Sequence, residues 1–379
     1  MLVSTLPITP KYNSAFTTLI SPFVACIASD FYNCPLVIAN NLIGLRFSNN
    51  NPTEISSWYK KSLKSIGIKN FYYWSELDQG YLGYVYENMN LWYEQGVIRN
   101  ELRKVFCCPC GIVEILDEDF LNYEKGKLYS LVNGSIVCNS CGGRVLPRCE
   151  EVLILNQKRE LIFPVHNCFP GNFLSELKVI HNKLAKHNIL VSRSKQKNSF
   201  FWASQKKFFI DTDFIWSLYL AYLSDKYSTN HILISASSRV LAPLIRSVCL
   251  SYFLRPNLKI DCIISPIVNI TSSKNTKKIN INDFINLGTA TELRFFLESG
   301  LHWKSKEVSL DTSVLYWIKH SIKPEINYLK KEVINKDSFI LKDIHNGSST
   351  RNLLAKLRKK RSMDEKEILL YQFLCQPML

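Results

Sequence analysis

Two short cysteine runs, Cys107-x-x-Cys110-Gly111 and Cys138-x-x-Cys141-Gly142, carry the plainest chemistry in the sequence. A CxxC turn aims two thiolates at one point, and the glycine that follows relieves the backbone. Two such knuckles, with 27 residues between Cys110 and Cys138, build a tetrahedral zinc site. Cys107, Cys110, Cys138 and Cys141 are the predicted ligands, with Cys108 and Cys149 near enough to replace one of them. The bland alternative is four buried free thiols left behind by a lost metal. Four protein ligands leave no open coordination position, so the zinc would be structural and would hold an insertion too small to fold alone. Five of the 12 cysteines fall between Cys107 and Cys141 and the rest are scattered, which fits a metal cluster in a reducing compartment better than disulfides.

A second group is basic. Lys274, Lys277 and Lys278 sit in one loop-like stretch, and Lys356 and Arg358 lie in the segment Arg351 to Arg361, which carries Leu353, Leu354 and Leu357 on one side. Flexible lysines suit phosphate as point charges. The first run reads more readily as a plain solvated basic loop, and the second is as well explained by a solvated helix face docked through its leucines as by nucleic acid. The formal charge of +15, from 47 basic against 32 acidic residues, points to nucleic acid, an anionic membrane surface or solubility.

These groups need a scaffold, and the composition supplies one. With 46% hydrophobic and 12% aromatic residues over 379 positions, the chain excludes a disordered or collagen-like protein and predicts two or three domains. The best apolar run, Ala15 to Ser29, is too short to span a membrane and ends at Asp30, and no basic region precedes an apolar run at the start. The expectation is a soluble, cytoplasmic protein without a transmembrane segment.

The order of elements reads as α/β. Strand-like Leu2 to Leu6 ends at Pro7, helical spacing runs from Phe16 to Ile27, and Cys34 to Ala39 is again strand-like. Helices follow from Asn51 to Gly67, with Thr53 available as cap, and from Leu82 to Gly96. Beyond the cysteine-rich stretch come a helix at Phe214 to Ser224, a strand from His231, a helix at Val240 to Phe253, and a strand from Lys259. From Asp283 onward the pattern is helical.

This order resembles the class I aminoacyl-tRNA synthetases, and within them the methionyl-tRNA synthetases, over roughly residues 2 to 310. Thr5-Leu-Pro resembles the strand that leads to the family's HIGH motif, and Ser29-Asp30-Phe31-Tyr32 the close of the next helix. Asn51-Pro-Thr-Glu through Gly67-Ile68 and Leu91 through Ile98 resemble the helices before the zinc knuckles. Val191-Ser-Arg193 resembles the (S/T)R element, Phe208 to Tyr222 the segment reading WxDAxxGY, and Gly288 to Leu297 the helix ending GADALRxxL. The resemblance implies a Rossmann-like parallel sheet of HUP type, split by a zinc-knuckle connective insertion, with ligand bound at the carboxyl ends of the strands. It divides the chain into residues 1–98 and 166–310 as the two halves of the catalytic-type domain, 99–165 as the insertion and 311–379 as a short helical C-terminal region. That last region is too short for a full anticodon-binding bundle.

Carried over position by position, the resemblance also implies loss. The HIGH histidines fall near Ser14 and Thr17, with Phe16 at the glycine. The DEHG-like aspartate falls at Asn41, in Asn41-Leu-Ile-Gly44. GKD with its following histidine becomes Ser235-Ala-Ser237 and Ala242, and KMSKS survives as Thr271-Ser-Ser-Lys274. Such charge-stabilising groups are worth roughly 2.7 to 4 kcal/mol each in a transition state. Ordinary methionine activation is therefore not expected, which leaves structural zinc as the cofactor and puts ATP in doubt. One reading is a pseudoenzyme that binds tRNA, aminoacyl-tRNA or a protein partner. The other is a repurposed enzyme that couples an amino acid to a small acceptor or uses preactivated aminoacyl-tRNA. A remade pocket would draw on Asn40, Asn41, Asp211, Asp213, Ser217, Ser235 and Ser237, with His166 or His231 as base. Phe201-Trp202 would be a core or loop anchor before a base-stacking platform.

Overall fold

The computed structural model describes residues 1–10, 17–42, 51–111, 113–116, 129–156, 161–193, 201–202, 208–272, 275–278 and 305–311; at 17, 201, 270–272, 275–278 and 309–311 it describes the backbone alone. The first half alternates strand and helix: β1 (Leu2–Thr5), α1 (Thr17–Tyr32), β2 (Leu36–Asn40), α2 (Pro52–Ser65), β3 (Tyr72–Ser75) and α3 (Gln79–Glu94). Five strands follow: β4 (Ile98–Cys107), β5 (Glu114–Leu116), β6 (Tyr129–Val132), β7 (Ser135–Cys138) and β8 (Leu146–Leu155). Then come β9 (Val165–Phe169), α4 (Asn172–Leu184), β10 (Ile189–Leu190), β11 (Ser192–Arg193), β12 (Phe201–Trp202), β13 (Phe208–Ile210), α5 (Thr212–Ser217) and α6 (Tyr219–Lys226). The described chain closes with β14 (His231–Ser237), α7 (Leu241–Leu254), β15 (Lys259–Ser265), β16 (Ile267–Ser272), β17 (Asn275–Lys278) and β18 (Glu307–Asp311).

Six strands form a parallel sheet in the order β3-β2-β1-β14-β15-β9. Every residue of β1 and β2 is buried, as a strand covered on both faces requires, so neither alternates apolar with exposed polar residues, and the polar members Ser4, Thr5 and Asn40 lie inside with the rest. Leu2, Val37, Trp74, Ile232 and Ile234 share one face and one core with residues of α3 to α7. The opposite face carries α1, which packs along β1, β14 and β15. The order reverses between β1 and β14, the switch point at whose carboxyl edge such sheets bind ligands.

Local chemistry explains the helix ends. Asn51, not Thr53, caps α2: its side chain accepts from Thr53 N at 2.9 Å, and Pro52 follows in the first turn, where a missing N–H costs nothing. Asp78 caps α3 through Tyr81 N at 3.3 Å, and Gly67 and Gly96 follow α2 and α3 at φ 93° and 67°, the left-handed exits that glycine allows. Pro22 lies inside α1 and has no N–H to offer Thr18 O. The buried Tyr59 of α2 donates its hydroxyl to that carbonyl at 3.3 Å. Tyr59→Phe is therefore expected to lower stability by about 1 kcal/mol, read as a lower urea midpoint at unchanged slope. An unshifted midpoint would mean the carbonyl has another donor.

Of the strands between α3 and β9, β4, β5 and β8 join the later β10 in a separate antiparallel layer of order β10-β8-β4-β5, with ten-residue β4 and β8 paired along their length. β6 and β7 form a hairpin closed by Asn133-Gly134 at φ 48° and 74°, a two-residue turn whose positive φ values match strand twist. The remaining strands form two small sheets, β11-β13-β12 and β17-β16-β18. Where the sequence pattern predicts helix from Asp283 onward, residues Glu307–Asp311 are instead a strand parallel to β16. The rest of that prediction lies outside the described residues. Among the described residues, no helix is long and apolar enough to cross a membrane.

Candidate functional site

The sulfurs of Cys108, Cys110, Cys138 and Cys141 all lie within 4.8 Å of one another. Cys108 Sγ is 3.1 Å from Cys110 Sγ, which is 3.8 Å from Cys138 Sγ. Backbone N–H groups aim at the sulfurs: Val113 N donates to Cys108 at 3.3 Å, Ser140 N to Cys138 at 3.4 Å and Gly143 N to Cys141 at 3.4 Å. Gly111 and Gly142, at φ 74° and 68°, turn the chain away after each knuckle. A methyl at Gly143 would stand 2.9 Å from Pro109 Cδ, so the two knuckles touch. Burial raises the Cys141 thiol, but the hydrogen bond from Gly143 N–H and those with Cys110 and Cys138 outweigh it and bring it to about 7. Four convergent sulfurs served by N–H donors are a donor set able to hold a metal ion such as zinc.

One predicted ligand changes. Cys107 does not join this group, and Cys108 takes its place. The reason is strand alternation. Cys107 ends β4 on the face of Val105, and it packs with Val105, Leu116, Val152 and Ile154. Cys108 begins the turn and belongs to the small core of Val113, Ile115, Tyr129, Cys138 and Val145. Burial, then the charges of Glu114 and Glu150, push the Cys107 thiol up to about 12. Cys149, on β8 opposite Lys104, is exposed and stands apart from the four.

The insertion is tied to the parallel core through Arg193. Its Nε pairs with Asp211 Oδ2 in a short contact, and its Nη1 donates to Gly111 O of the first knuckle at 3.2 Å. Burial alone would lower the guanidinium's pKa, but the charges of Asp211 and Asp213 and the hydrogen bond it donates to Asp211 raise it above its ordinary value. Asp211 Oδ1 meanwhile caps α5, accepting from Asp213 N at 2.8 Å and Phe214 N at 3.0 Å. The sequence marks Arg193 only by its place in the (S/T)R element. Its reach to Gly111 has no local signal, because 82 positions separate the two.

At the carboxyl edge of the sheet, the polar positions are largely engaged within the fold. Ser235 Oγ and Ser21 Oγ lie 3.1 Å apart, Ser21 Oγ donates to Ser235 O at 2.9 Å, and Ser235 Oγ donates to Ser21 O at 3.0 Å. Ser237 Oγ accepts from Arg239 N at 3.3 Å. Away from that edge, on α5, Asp213 accepts from Trp216 Nε1 at 3.1 Å, and Ser217 donates to Asp213 O. Asn41 is half-buried and its N–H donates to Ile8 O at 2.8 Å. Asn40, at the end of β2, is fully buried, and its Oδ1 has no hydrogen-bond partner among the described residues. Ser14, Lys274, Lys356 and Arg358 lie outside the described residues; Thr17 begins α1, and Lys277 and Lys278 fall on β17, with their side chains outside the description.

The two candidate bases are elsewhere. His231 starts β14 at the amino end of the parallel strands, where its Nε2 is 2.8 Å from Asp261 Oδ2, and Asp261 Oδ1 accepts from Asn167 N at 3.0 Å and Asn167 Nδ2 at 2.9 Å. His166 is exposed on the edge strand β9. Neither reaches the carboxyl edge at Ser237 and Asn40. Trp202 is buried, and its Nε1 donates to Asn90 Oδ1 at 2.8 Å while its ring meets Tyr93 edge-on. It is a core anchor.

A parallel sheet of this order, interrupted after α3 by an antiparallel layer with a four-cysteine group, defines a Rossmann-like core of the class I synthetase type. Among solved structures, the chain is similar to methionyl-tRNA synthetase of Mycobacterium tuberculosis in complex with methionyl-adenylate, at TM-score 0.66 and 10% identity over 98% of this chain and 81% of that one. A second structure of that enzyme bound by methionyl-adenylate matches at TM-score 0.63 and 10% identity, over 100% and 89% of the two chains. Its apo form matches at TM-score 0.58 and 10% identity, over 100% and 87%. No family model and no curated protein matches the sequence. The chain thus has the methionyl-tRNA synthetase fold.

Proposed function

We propose that this chain is a pseudo-synthetase, which keeps the synthetase architecture, has lost ATP-dependent methionine activation, and binds tRNA or aminoacyl-tRNA. The observation that carries this reading is the Ser235–Ser21 lock. The position where the resemblance expects the first residue of GKD is spent joining β14 to α1. Ala242, where a histidine is expected, has no group to offer phosphate. The charge of +15 supplies the phosphate-binding term that RNA recognition needs. In this reading the zinc of the four-cysteine group is structural and holds the insertion.

The test has two arms. Amino-acid-dependent ATP–pyrophosphate exchange, run across the standard amino acids beside an active methionyl-tRNA synthetase, is expected to stay at the blank, because each absent charge-stabilising group removes about 10² to 10³ in rate. Association with tRNA should weaken steeply as salt rises and weaken further on charge reversal at Lys356 and Arg358. Exchange above the blank would sink this reading in favour of a rebuilt enzyme and would name its amino acid. Silence in both arms would leave a protein partner.

A further inference from the structure

The cysteine that stands outside the four-sulfur group has company of its own. Antiparallel pairing sets Glu114 of β5 directly opposite Cys107 of β4. On the other side of β4, Leu146, Arg148 and Glu150 alternate onto that same face of β8. Glu150 reaches back along that face: the Cys107 sulfur and one oxygen from each carboxylate lie within 4.8 Å of one another. Three adjacent strands thus contribute one ligand atom each. Cys107 is 6% and Glu114 4% exposed, while Glu150 is half-buried on the solvent side.

Groups of this kind repel one another when ionised, and a protein interior relieves the repulsion by protonation or by a balancing charge. The nearby guanidiniums supply part of it. Arg148 Nη1 is 3.9 Å from Glu150 Oε1. Arg193 also feels Glu114, but its guanidinium is taken up by Asp211 and Gly111 O. A divalent cation between the three ligand atoms would leave one negative charge, which Arg148 offsets.

We propose that Cys107, Glu114 and Glu150 hold a second metal ion, separate from the one assigned to Cys108, Cys110, Cys138 and Cys141. Its ligands name its class. A thiolate excludes the hard ions calcium and magnesium, and one sulfur with two carboxylate oxygens suits a borderline ion such as zinc. Three protein ligands leave one coordination position to solvent, on the side of half-buried Glu150. Such an ion would staple β5, which has only three residues and follows directly on the first knuckle, to both long strands of the insertion.

The experiment is metal counting on the full chain, equilibrated at neutral pH with buffered zinc and read by elemental mass spectrometry. The wild type should carry two zinc ions per chain. Cys107→Ser and Glu150→Gln should each carry one, and Cys138→Ser should lose one ion of its own. Because Cys107 is buried and its replacement can disturb packing, Glu150→Gln at the solvent edge is the deciding variant. Cobalt substitution gives a second readout: Glu150→Gln should remove the spectrum of a single-thiolate centre and leave that of the four-sulfur centre. A wild type with one zinc, lost in Cys138→Ser and kept in Cys107→Ser and Glu150→Gln, would overturn this second site and leave the four-cysteine centre standing. Two zinc ions retained in both Cys107→Ser and Glu150→Gln would overturn it as well.

Discussion

Cys138→Ser is expected to unfold the tip of the insertion while leaving the parallel sheet intact. The core around the four sulfurs consists of Cys108, Val113, Ile115, Tyr129, Cys138 and Val145, a handful of side chains around a two-stranded hairpin. A lone hairpin is marginally stable at best, so a metal held by the four sulfurs would supply most of what holds this tip. Structural zinc in small domains contributes on the order of 10 kcal/mol or more to folding, far beyond what six side chains can replace. Hydrogen exchange reads the outcome by segment. Amides of β6, β7 and the turns after Cys108 and Cys138 should lose nearly all protection in the variant or under a strong chelator, and amides of β1, β14 and β15 should keep theirs. Equal loss in both regions would mean that the insertion and the sheet unfold as one unit. Unchanged protection at the tip would mean that packing alone sustains it.

The division between what could be read in advance and what could not follows the range of the forces involved. β1, β2, β14 and β15 are legible because each carries a short apolar run, Leu2-Val3, Leu36-Val-Ile-Ala39, Ile232-Leu-Ile234 and Cys262-Ile-Ile264, and Pro7 marks where the first must stop. The knuckles are legible because a turn with two sulfurs and a glycine is a local device. The choice between Cys107 and Cys108 is local too, since the alternation of Val105 and Cys107 along β4 already turns Cys107 away, but it depends on where the strand ends. Long-range contacts left no such mark. The bond from Tyr59 to Thr18 O follows from Pro22 only once α2 is known to pack on α1. Ser235 reads in the sequence as part of the GKD-like element, and its contact with Ser21, 214 residues away, which joins α1 to β14, has no local signal. His231 was a plausible base as a residue type, but its register with Lys259 puts it at the wrong end of the strand. The order of elements survives at 10% identity because sheet topology depends on pattern, whereas activity depends on particular side chains.

Arg193→Met is expected to destabilise the chain by about 3 to 5 kcal/mol, the range found when one partner of a buried ion pair is removed. The side chains of Arg193 and Asp211 are 7% and 4% exposed, so water cannot take over the solvation of whichever charge remains. Methionine keeps much of the length and apolar stem, which confines the change to charge and hydrogen bonding. Asp211 Oδ2 and the carbonyl of Gly111 both lose the donor that Arg193 supplies. Adding Asp211→Asn to the same chain should recover most of the loss. Asparagine keeps the oxygen that caps α5 through Asp213 N and Phe214 N, and it carries no charge to strand. Arg193→Lys should fall short of wild type as well, because a point charge on a flexible stem cannot serve Asp211 and Gly111 O together as the guanidinium fork does. Urea midpoints at constant slope give these differences directly. A loss under about 1 kcal/mol in Arg193→Met would give the pair the strength of an exposed one and break the argument from burial. The double variant separates the two consequences of the link. If stability returns while exchange at the first knuckle stays fast, Arg193 also positions the insertion on the parallel core, through the one hydrogen bond to Gly111 that asparagine at 211 cannot restore.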